Sequence, residues 1–427
     1  MNILVINVHS LTNAGDAALT LEMLRQLREC FPGGQITLAM DDPEPLGADA
    51  RVIGSIMHWC KTIAHDGRSV WHIRNLLRFL PASLISLIAY RLFGKRFFPG
   101  MSSSQRETIE AYFDAYVVIS KPGGFLYTSG GVGLPFLLTI YTIAFAILCN
   151  KPHYMLPQSI GPLQRTWQCW LARWALNRSR LTMIREPASA REIAAIGVAR
   201  DRWIEIPDLA FAFPAASVER ARAWLAQHGA ICQAGQPCIG ITAINWQAQN
   251  SAFNLQAQYE DALYEALSRF AVAWRARLIF FPHAVGPTVE QDDRVVARRI
   301  AARFSHCDVT LIEEQAPPDV MKAAFGQMEL FIGTRMHSNI FALCGGVPVV
   351  AIGYLRKTEG IMSMLGLESF VVDIRHLTAG ALLERIEHAW PMRAKLRQKI
   401  QAAVVALAES ASQATALIAR DLSNRNG

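Results

Sequence analysis

The chain has 427 residues, 52% of them hydrophobic and 18% charged, with a net charge of +7. That length exceeds one hydrophobic core and suits two domains of about 200 residues each, and the apolar content excludes a disordered chain. The eight cysteines are scattered without a CxxC pair, which argues against a zinc site or a disulfide framework; with a start that runs straight into a strand pattern, a reducing, cytoplasmic location is expected.

In chain order, short β-branched runs alternate with helical patterns. "NILVINV" leads to the helix "AALTLEMLRQLREC" and then "QITLAM". A basic block follows between Arg51 and Arg106, with nine Lys or Arg against the single acid Asp66. Its stretch "VWHIRNLLRFLPASLISLIAYRLFGKRFF" mixes aromatic and aliphatic residues with cations, the composition of a helix lying on an anionic membrane surface. The alternative is a buried helical pair with solvated edges. The block carries no nucleic-acid-binding motif, so nucleic acid is not an expected partner.

"AYVVIS" comes next, then the most apolar run, "LPFLLTIYTIAFAILC", which at 16 residues is shorter than the roughly 20 needed to span a bilayer and reads as a helix buried against a sheet. "HYMLPQS", the helix "TWQCWLARWALN", "RLTMIRE" and "WIEIPD" complete the first series. After a break at "LAFAFPAAS" the rhythm restarts with "CIGITAI", "LIFFPH", "VTLIE", "ELFIG", "VPVVAIG" and "FVVDI", separated by helical patterns. The expected fold is α/β, two Rossmann-like domains facing a cleft, divided as 1–212 and 213–427 with a basic amphipathic insertion at about 51–106.

Ligands of such sheets bind at the carboxyl ends of the strands, which directs attention to the residues that follow each one. Asn13 and Gly15 suit a tight turn, Asp16 can cap the helix behind it, and Gly15 can also let a ligand approach backbone N–H groups. Gly123 and Gly124 in "KPGGFLYTSGGVG" permit close approach of an anion, although the loop matches neither GxGxxG nor a P-loop. Gln158 stands near a strand end, and Arg185 precedes Pro187, a residue suited to a first helical turn. In the second series His283 follows a strand, with Asp292 and Asp293 nine and ten residues on. Arg335 and His337 fall in the first turn of a helix, where a cation opposes the helix dipole by roughly 0.3 to 1 kcal/mol and a bound anion would reverse the cost. Arg335 could hold a carboxylate or phosphate by its bidentate fork.

Taken together, "NAGDAAL", "KPGG", "PQSIGP", "REPAS", "IPDLAFAF" and above all "GTRMHSNIFALCGGVPVVAIGYLRKTEGIMSMLGL" resemble the polysaccharide pyruvyl transferases, in particular the branch associated with colanic acid and amylovoran biosynthesis. The resemblance implies a fold similar to GT-B glycosyltransferases. It also implies transfer of the enolpyruvyl unit of phosphoenolpyruvate to a sugar as a ketal, with no metal and no cofactor beyond phosphoenolpyruvate as co-substrate. Under it, Arg185, Arg335 and His337 bind phosphoenolpyruvate and support its chemistry. His337 is then the candidate for proton transfer, Asp16 or His283 for the acceptor hydroxyl, and Lys357 for the departing phosphate. The family's glycine triplet reads Gly123-Gly124-Phe125 here, a departure on the acceptor-side loop. A saccharide acceptor carried on undecaprenyl diphosphate, with work at the inner face of the membrane, fits the basic block. Two alternatives are a nucleotide-sugar glycosyltransferase or epimerase, with Glu359 on a ribose diol, and a non-catalytic partner in polysaccharide assembly. Retention of Arg185, Arg335 and His337 together speaks against the last.

Overall fold

Twelve strand patterns read from the sequence all form strands, because runs buried on both faces must be apolar throughout in a parallel sheet. The computed structural model describes residues 1–47, 50–63, 69–128, 133–250 and 252–424. Its first series comprises β1 (Asn2–Val8), β2 (Gln35–Met40), β3 (Arg51–Gly54), β4 (Lys61–Ile63), β5 (Ser69–Trp71), β6 (Val117–Ser120), β7 (Gly123–Leu126), β8 (His153–Ile160), β9 (Leu181–Ile184) and β10 (Trp203–Glu205). The second comprises β11 (Cys238–Thr242), β12 (Arg277–Phe280), β13 (Asp308–Leu311), β14 (Leu330–Gly333), β15 (Val349–Gly353) and β16 (Val371–Asp373).

The first sheet runs β10-β9-β8-β6-β1-β2-β3, with β7 also paired to β8, and every pairing in it is parallel. The second runs β13-β12-β11-β14-β15-β16, again parallel throughout. Strands β4 and β5 form a separate antiparallel pair inside the basic block.

The chain divides into two compact units, and the division differs from the expected contiguous halves 1–212 and 213–427. Unit 1 takes residues 1–11, 19–209 and 410–427; unit 2 takes 12–18 and 210–409. Strand alternation locates the change near residue 210, but it carries no information on where a short segment or a terminal helix packs.

The helix Leu134–Leu148 is buried along Phe136, Leu138, Ile140, Ile143 and Phe145, as its composition required. The helix Ile73–Phe93 in the basic block behaves otherwise. Phe79, Ser83, Ser86 and Leu87 face the unit 1 core, with Leu76, Leu80 and Tyr90 packed at its edge, while Ile73, Leu77, Leu84, Ile85, Ile88, Leu92 and Phe93 face outward. Among the cysteines, Cys232 and Cys238 come close together, with Cα atoms 6.1 Å apart. Their spacing of six residues resembles no framework motif; the loop between them brings the two together.

Candidate functional site

In a parallel sheet all carboxyl ends lie along one edge, so the residues that follow each strand are collected there. In unit 1 they are His9 after β1, Asp41 after β2, Ser55 after β3, Lys121 after β6 and Arg185 after β9. Arg185 is 1% exposed, and its guanidinium is almost fully engaged. Nε donates to Ser159 Oγ at 2.7 Å and Nη1 to Asp208 Oδ2 at 2.5 Å, with Glu186 Oε2 3.4 Å from Nε. Nη2 is buried and has no hydrogen-bond partner among the described residues.

An unmade bond from a buried, charged donor is costly, so Nη2 marks where an acceptor is wanted. Gly124 leaves the space beside it: a Cβ there would lie 3.0 Å from Nη2. Gly124 is therefore in its expected neighbourhood but within strand β7, not in a loop. Residues 130 and 131, the second glycine pair of that stretch, lie outside the described residues. Gly123 pairs with Gln158 across β7 and β8, and Gln158 Nε2 donates to the Lys121 carbonyl while its Oε1 stays buried without a partner among the described residues. Burial pushes the Glu186 carboxyl above its ordinary range against the pull of Arg185.

Sequence reasoning passed over a second group on the same edge. His9 Nδ1 lies 2.8 Å from Asp41 Oδ2, and Ser55 donates to Asp41 Oδ1 at 2.6 Å. Burial raises the Asp41 pKa, but hydrogen bonds from His9 and Ser55 outweigh it and hold the carboxyl below its usual range. The His9 side chain is 39% exposed and meets Phe125 edge-on at 5.8 Å between ring centroids. A carboxylate that orients one ring nitrogen and leaves the ring open to solvent is the arrangement of a general base. The strand-end filter points to His9 as soon as the end of β1 is known; nothing in the sequence shows that Asp41, 32 residues on, will hold it.

Unit 2 assembles most of the remaining candidates. Residues 12–18 lie against the loop after β12: Asn13 forms an antiparallel bridge with Ala284, Ala14 N donates to His283 O at 2.9 Å, and Val285 N to Thr12 O at 3.0 Å. Asn13, not Asp16, caps the helix Ala14–Cys30: its Oδ1 accepts from Gly15 N at 2.9 Å and Asp16 N at 3.4 Å. An acceptor side chain one residue before the helix reaches its free N–H groups, whereas Asp16 already sits in the first turn.

The close approach to Gly15 is made by the His337 imidazole, which a Cβ on Gly15 would overlap. His337 is the second residue of the helix Met336–Cys344, whose N-cap is Arg335. The anion that the sequence argument required for Arg335 is supplied in part by the protein. Asp293 Oδ1 accepts from Arg335 Nε at 3.0 Å and from Nη2 at 2.7 Å, and Nη2 also donates to Gln291 O at 3.1 Å. Burial lowers the guanidinium pKa, yet Asp293 outweighs it and keeps the group above its ordinary value. Asp293 thus has the orienting role that its distance from His283 left unread.

His283 is fully buried, and neither ring nitrogen has a partner among the described residues. Burial, followed by His337 and Arg335, drives its pKa well below the ordinary histidine value, with Asp16 opposing. It is neutral at physiological pH, which disfavours it as a proton donor and weakens it as a base. Lys357 lies on the helix Arg356–Met364, with Nζ 5.8 Å from the centre of the Tyr354 ring. Glu359 is exposed on the same helix.

Residues 13–356 match the polysaccharide pyruvyl transferase family, and the chain belongs to it. It is 24% identical over 278 residues to the amylovoran biosynthesis protein AmsJ of Erwinia amylovora, a match that covers 61% of this chain and 63% of that protein. Among solved structures it is similar to Anabaena Alr3699/HepE in complex with UDP and glucose, with a TM-score of 0.57 and 14% identity over 99% of this chain and all of the other. It is also similar to the sucrose-phosphate synthase of Thermosynechococcus elongatus, with a TM-score of 0.57 and 12% identity over the full length of both. The UDP-GlcNAc 2-epimerase of Methanocaldococcus jannaschii follows at 0.53 and 9%, over 91% of this chain and 92% of the other. These likenesses define the fold as α/β of the GT-B type.

Proposed function

We propose that the protein transfers the enolpyruvyl group of phosphoenolpyruvate to a saccharide of a surface-glycan precursor, forming a pyruvate ketal and releasing phosphate. The observation that carries this reading is the family match across residues 13–356, which contains Arg185, Arg335 and His337 together. Phosphoenolpyruvate bears a carboxylate and a phosphate, so its binding calls for fixed guanidinium groups. Arg185 offers a buried donor without a partner among the described residues, and Arg335 is a fork held rigid by Asp293.

The chemistry requires a proton for the methylene carbon, attack of one sugar hydroxyl on C2, loss of phosphate, and closure by a second hydroxyl of the same sugar. One hydroxyl proton replaces the proton delivered to carbon, and the other leaves with phosphate. His337 is assigned the proton transfer to carbon, and Lys357 the charge of the departing phosphate. For the acceptor hydroxyl, His9 held by Asp41 is better suited than His283, whose burial suppresses its basicity. Asp16, in the first helical turn of unit 2, remains the carboxylate alternative.

The test is incubation of the full chain with phosphoenolpyruvate and lipid-linked saccharides, following phosphate release and the mass of the glycan. The expected result is one phosphate released per ketal formed, abolished by Arg335→Ala and by His337→Ala. Tight binding of UDP with no consumption of phosphoenolpyruvate would overturn the reading in favour of a nucleotide-sugar enzyme.

A further inference from the structure

Among the described residues, the helix Ile73–Phe93 has two apolar faces but packs only one of them against unit 1. Phe79, Ser83, Ser86 and Leu87 face inward, and Ser83 Oγ lies 2.6 Å from the Tyr141 hydroxyl, which fixes the helix on the unit 1 core. On the other side Ile73, Leu77, Leu84, Ile88 and Leu92 recur at intervals of four, seven, four and four residues, the spacing of a single helical stripe. They are large and exposed, at 68%, 71%, 41%, 53% and 72%, and Phe93 and Phe97 extend the patch at 69% and 55%. Contiguous apolar surface of this kind marks an interaction site.

The charge around the stripe identifies what covers it. Between Gly67 and Arg106 the sequence contains no Asp or Glu. Among the described residues no carboxylate pairs with Arg74, Arg78, Arg91 or Lys95, whereas Arg96 is tied to Asp114 and Arg106 to Glu110. Cations on long stems around a leucine- and phenylalanine-rich stripe match an anionic lipid surface: the apolar face enters the acyl boundary while the cations reach phosphate. A self-associating face would gather four like charges from each copy at one interface, which is unfavourable.

Two helical stretches, Ile73–Phe93 and Ala379–Ser423, are long and apolar enough to cross a bilayer by length and composition. The first has one face committed to the unit 1 core, so it is arranged to lie on a bilayer. The second presents few large apolar side chains outward, Val405 being the exposed one.

We propose that the exposed face of the helix Ile73–Phe93 docks the protein on the surface of an anionic bilayer, with Leu77, Ile88 and Leu92 inserted and Arg74, Arg78, Arg91 and Lys95 at the phosphate level. This docking stands independently of the acceptor chemistry proposed above.

Flotation of the full chain with vesicles of phosphatidylcholine alone and of phosphatidylcholine with phosphatidylglycerol tests it, using the triple variant Leu77→Gln/Ile88→Gln/Leu92→Gln and the charge variant Arg74→Gln/Arg78→Gln/Lys95→Gln. The wild type is expected to float with the anionic vesicles and to be released by high salt; each variant is expected to lose more than about ten-fold in vesicle partition. Circular dichroism and the unfolding midpoint confirm that the variants are folded, since all six side chains face solvent. Failure of the wild type to float, or equal flotation of the folded variants, overturns the proposal. So does a wild-type dimer in solution that the triple variant dissolves while flotation is unchanged, because a second copy would then be the occupant.

Discussion

The contact between Gly15 and His337 gives a prediction whose sign depends on the partner. Gly15 lies in the first turn of the helix Ala14–Cys30, and replacing a helical glycine by alanine normally stabilises by up to about 1 kcal/mol. Here the added Cβ would overlap the His337 ring and lie 2.5 Å from the His337 Cβ, against an ordinary carbon separation of about 3.5 to 4 Å. A displacement of about 1 Å in a packed site costs roughly 1 to 3 kcal/mol, so Gly15→Ala alone is expected to destabilise by about 1 kcal/mol net. His337→Ala does not relieve the overlap, because the clashing Cβ remains; His337→Gly does. In the His337→Gly background Gly15→Ala is expected to stabilise, giving a coupling of about 1 to 3 kcal/mol in a double-mutant cycle. Urea midpoints at constant m measure it, and turnover of phosphoenolpyruvate by Gly15→Ala reports whether the displaced imidazole is the one the chemistry uses. A coupling below about 0.5 kcal/mol, or stabilisation by Gly15→Ala alone, would refute the packing argument.

Arg185→Lys keeps the charge beside Asp208 but loses the planar fork; KM for phosphoenolpyruvate is expected to rise more than about ten-fold in a folded protein, whereas Arg185→Ala, which strands two buried carboxylates, should cost about 3 to 5 kcal/mol of stability. His9→Ala is expected to lower kcat by about 10²- to 10⁴-fold while phosphoenolpyruvate binding is retained, and Asp41→Asn to alter the acidic limb of the pH–rate profile; an unchanged kcat in His9→Ala removes the assigned base. His153 is buried between Ser120 and Ser179, and burial lowers its pKa from 6.5 to about 3. Below pH 6.5 the unfolded chain therefore binds a proton that the folded chain refuses, so stability falls with pH, by about 2 kcal/mol at pH 5 from this residue alone. Urea midpoints between pH 5 and 7.5 should show a shallower slope for His153→Gln than for the wild type, and equal slopes would reject the assignment.

Much of the fold was legible because parallel strands buried on both faces leave uninterrupted apolar runs: β8, β11, β14 and β15 are buried at every residue. The β-strand at Arg51–Gly54, with its single buried residue, and the Gly-rich β7 carry no such signal and were not read. The same logic located the strand-end residues, since the position after a strand is a matter of sequence alone. Arg185, His283, Arg335 and His337 were found in that way.

What those residues touch was decided elsewhere. The glycine at position 15 reads as a turn or a ligand approach in sequence, and only packing shows an imidazole laid over it. Arg335 reads as an unpaired cation at a helix start until Asp293, 42 residues earlier, is seen to hold it. His9 and Asp41 are ordinary residues until adjacent parallel strands β1 and β2 bring their ends together. Sequence by itself determined the order of the main sheet strands, the two parallel sheets, the family and the list of strand-end cations, because each follows from local periodicity or from contiguous motifs. The partner of each cation, the burial that silences His283, and the outward turn of an apolar helical stripe were decided only by tertiary structure, because each depends on side chains remote in the chain and on which surface is left uncovered.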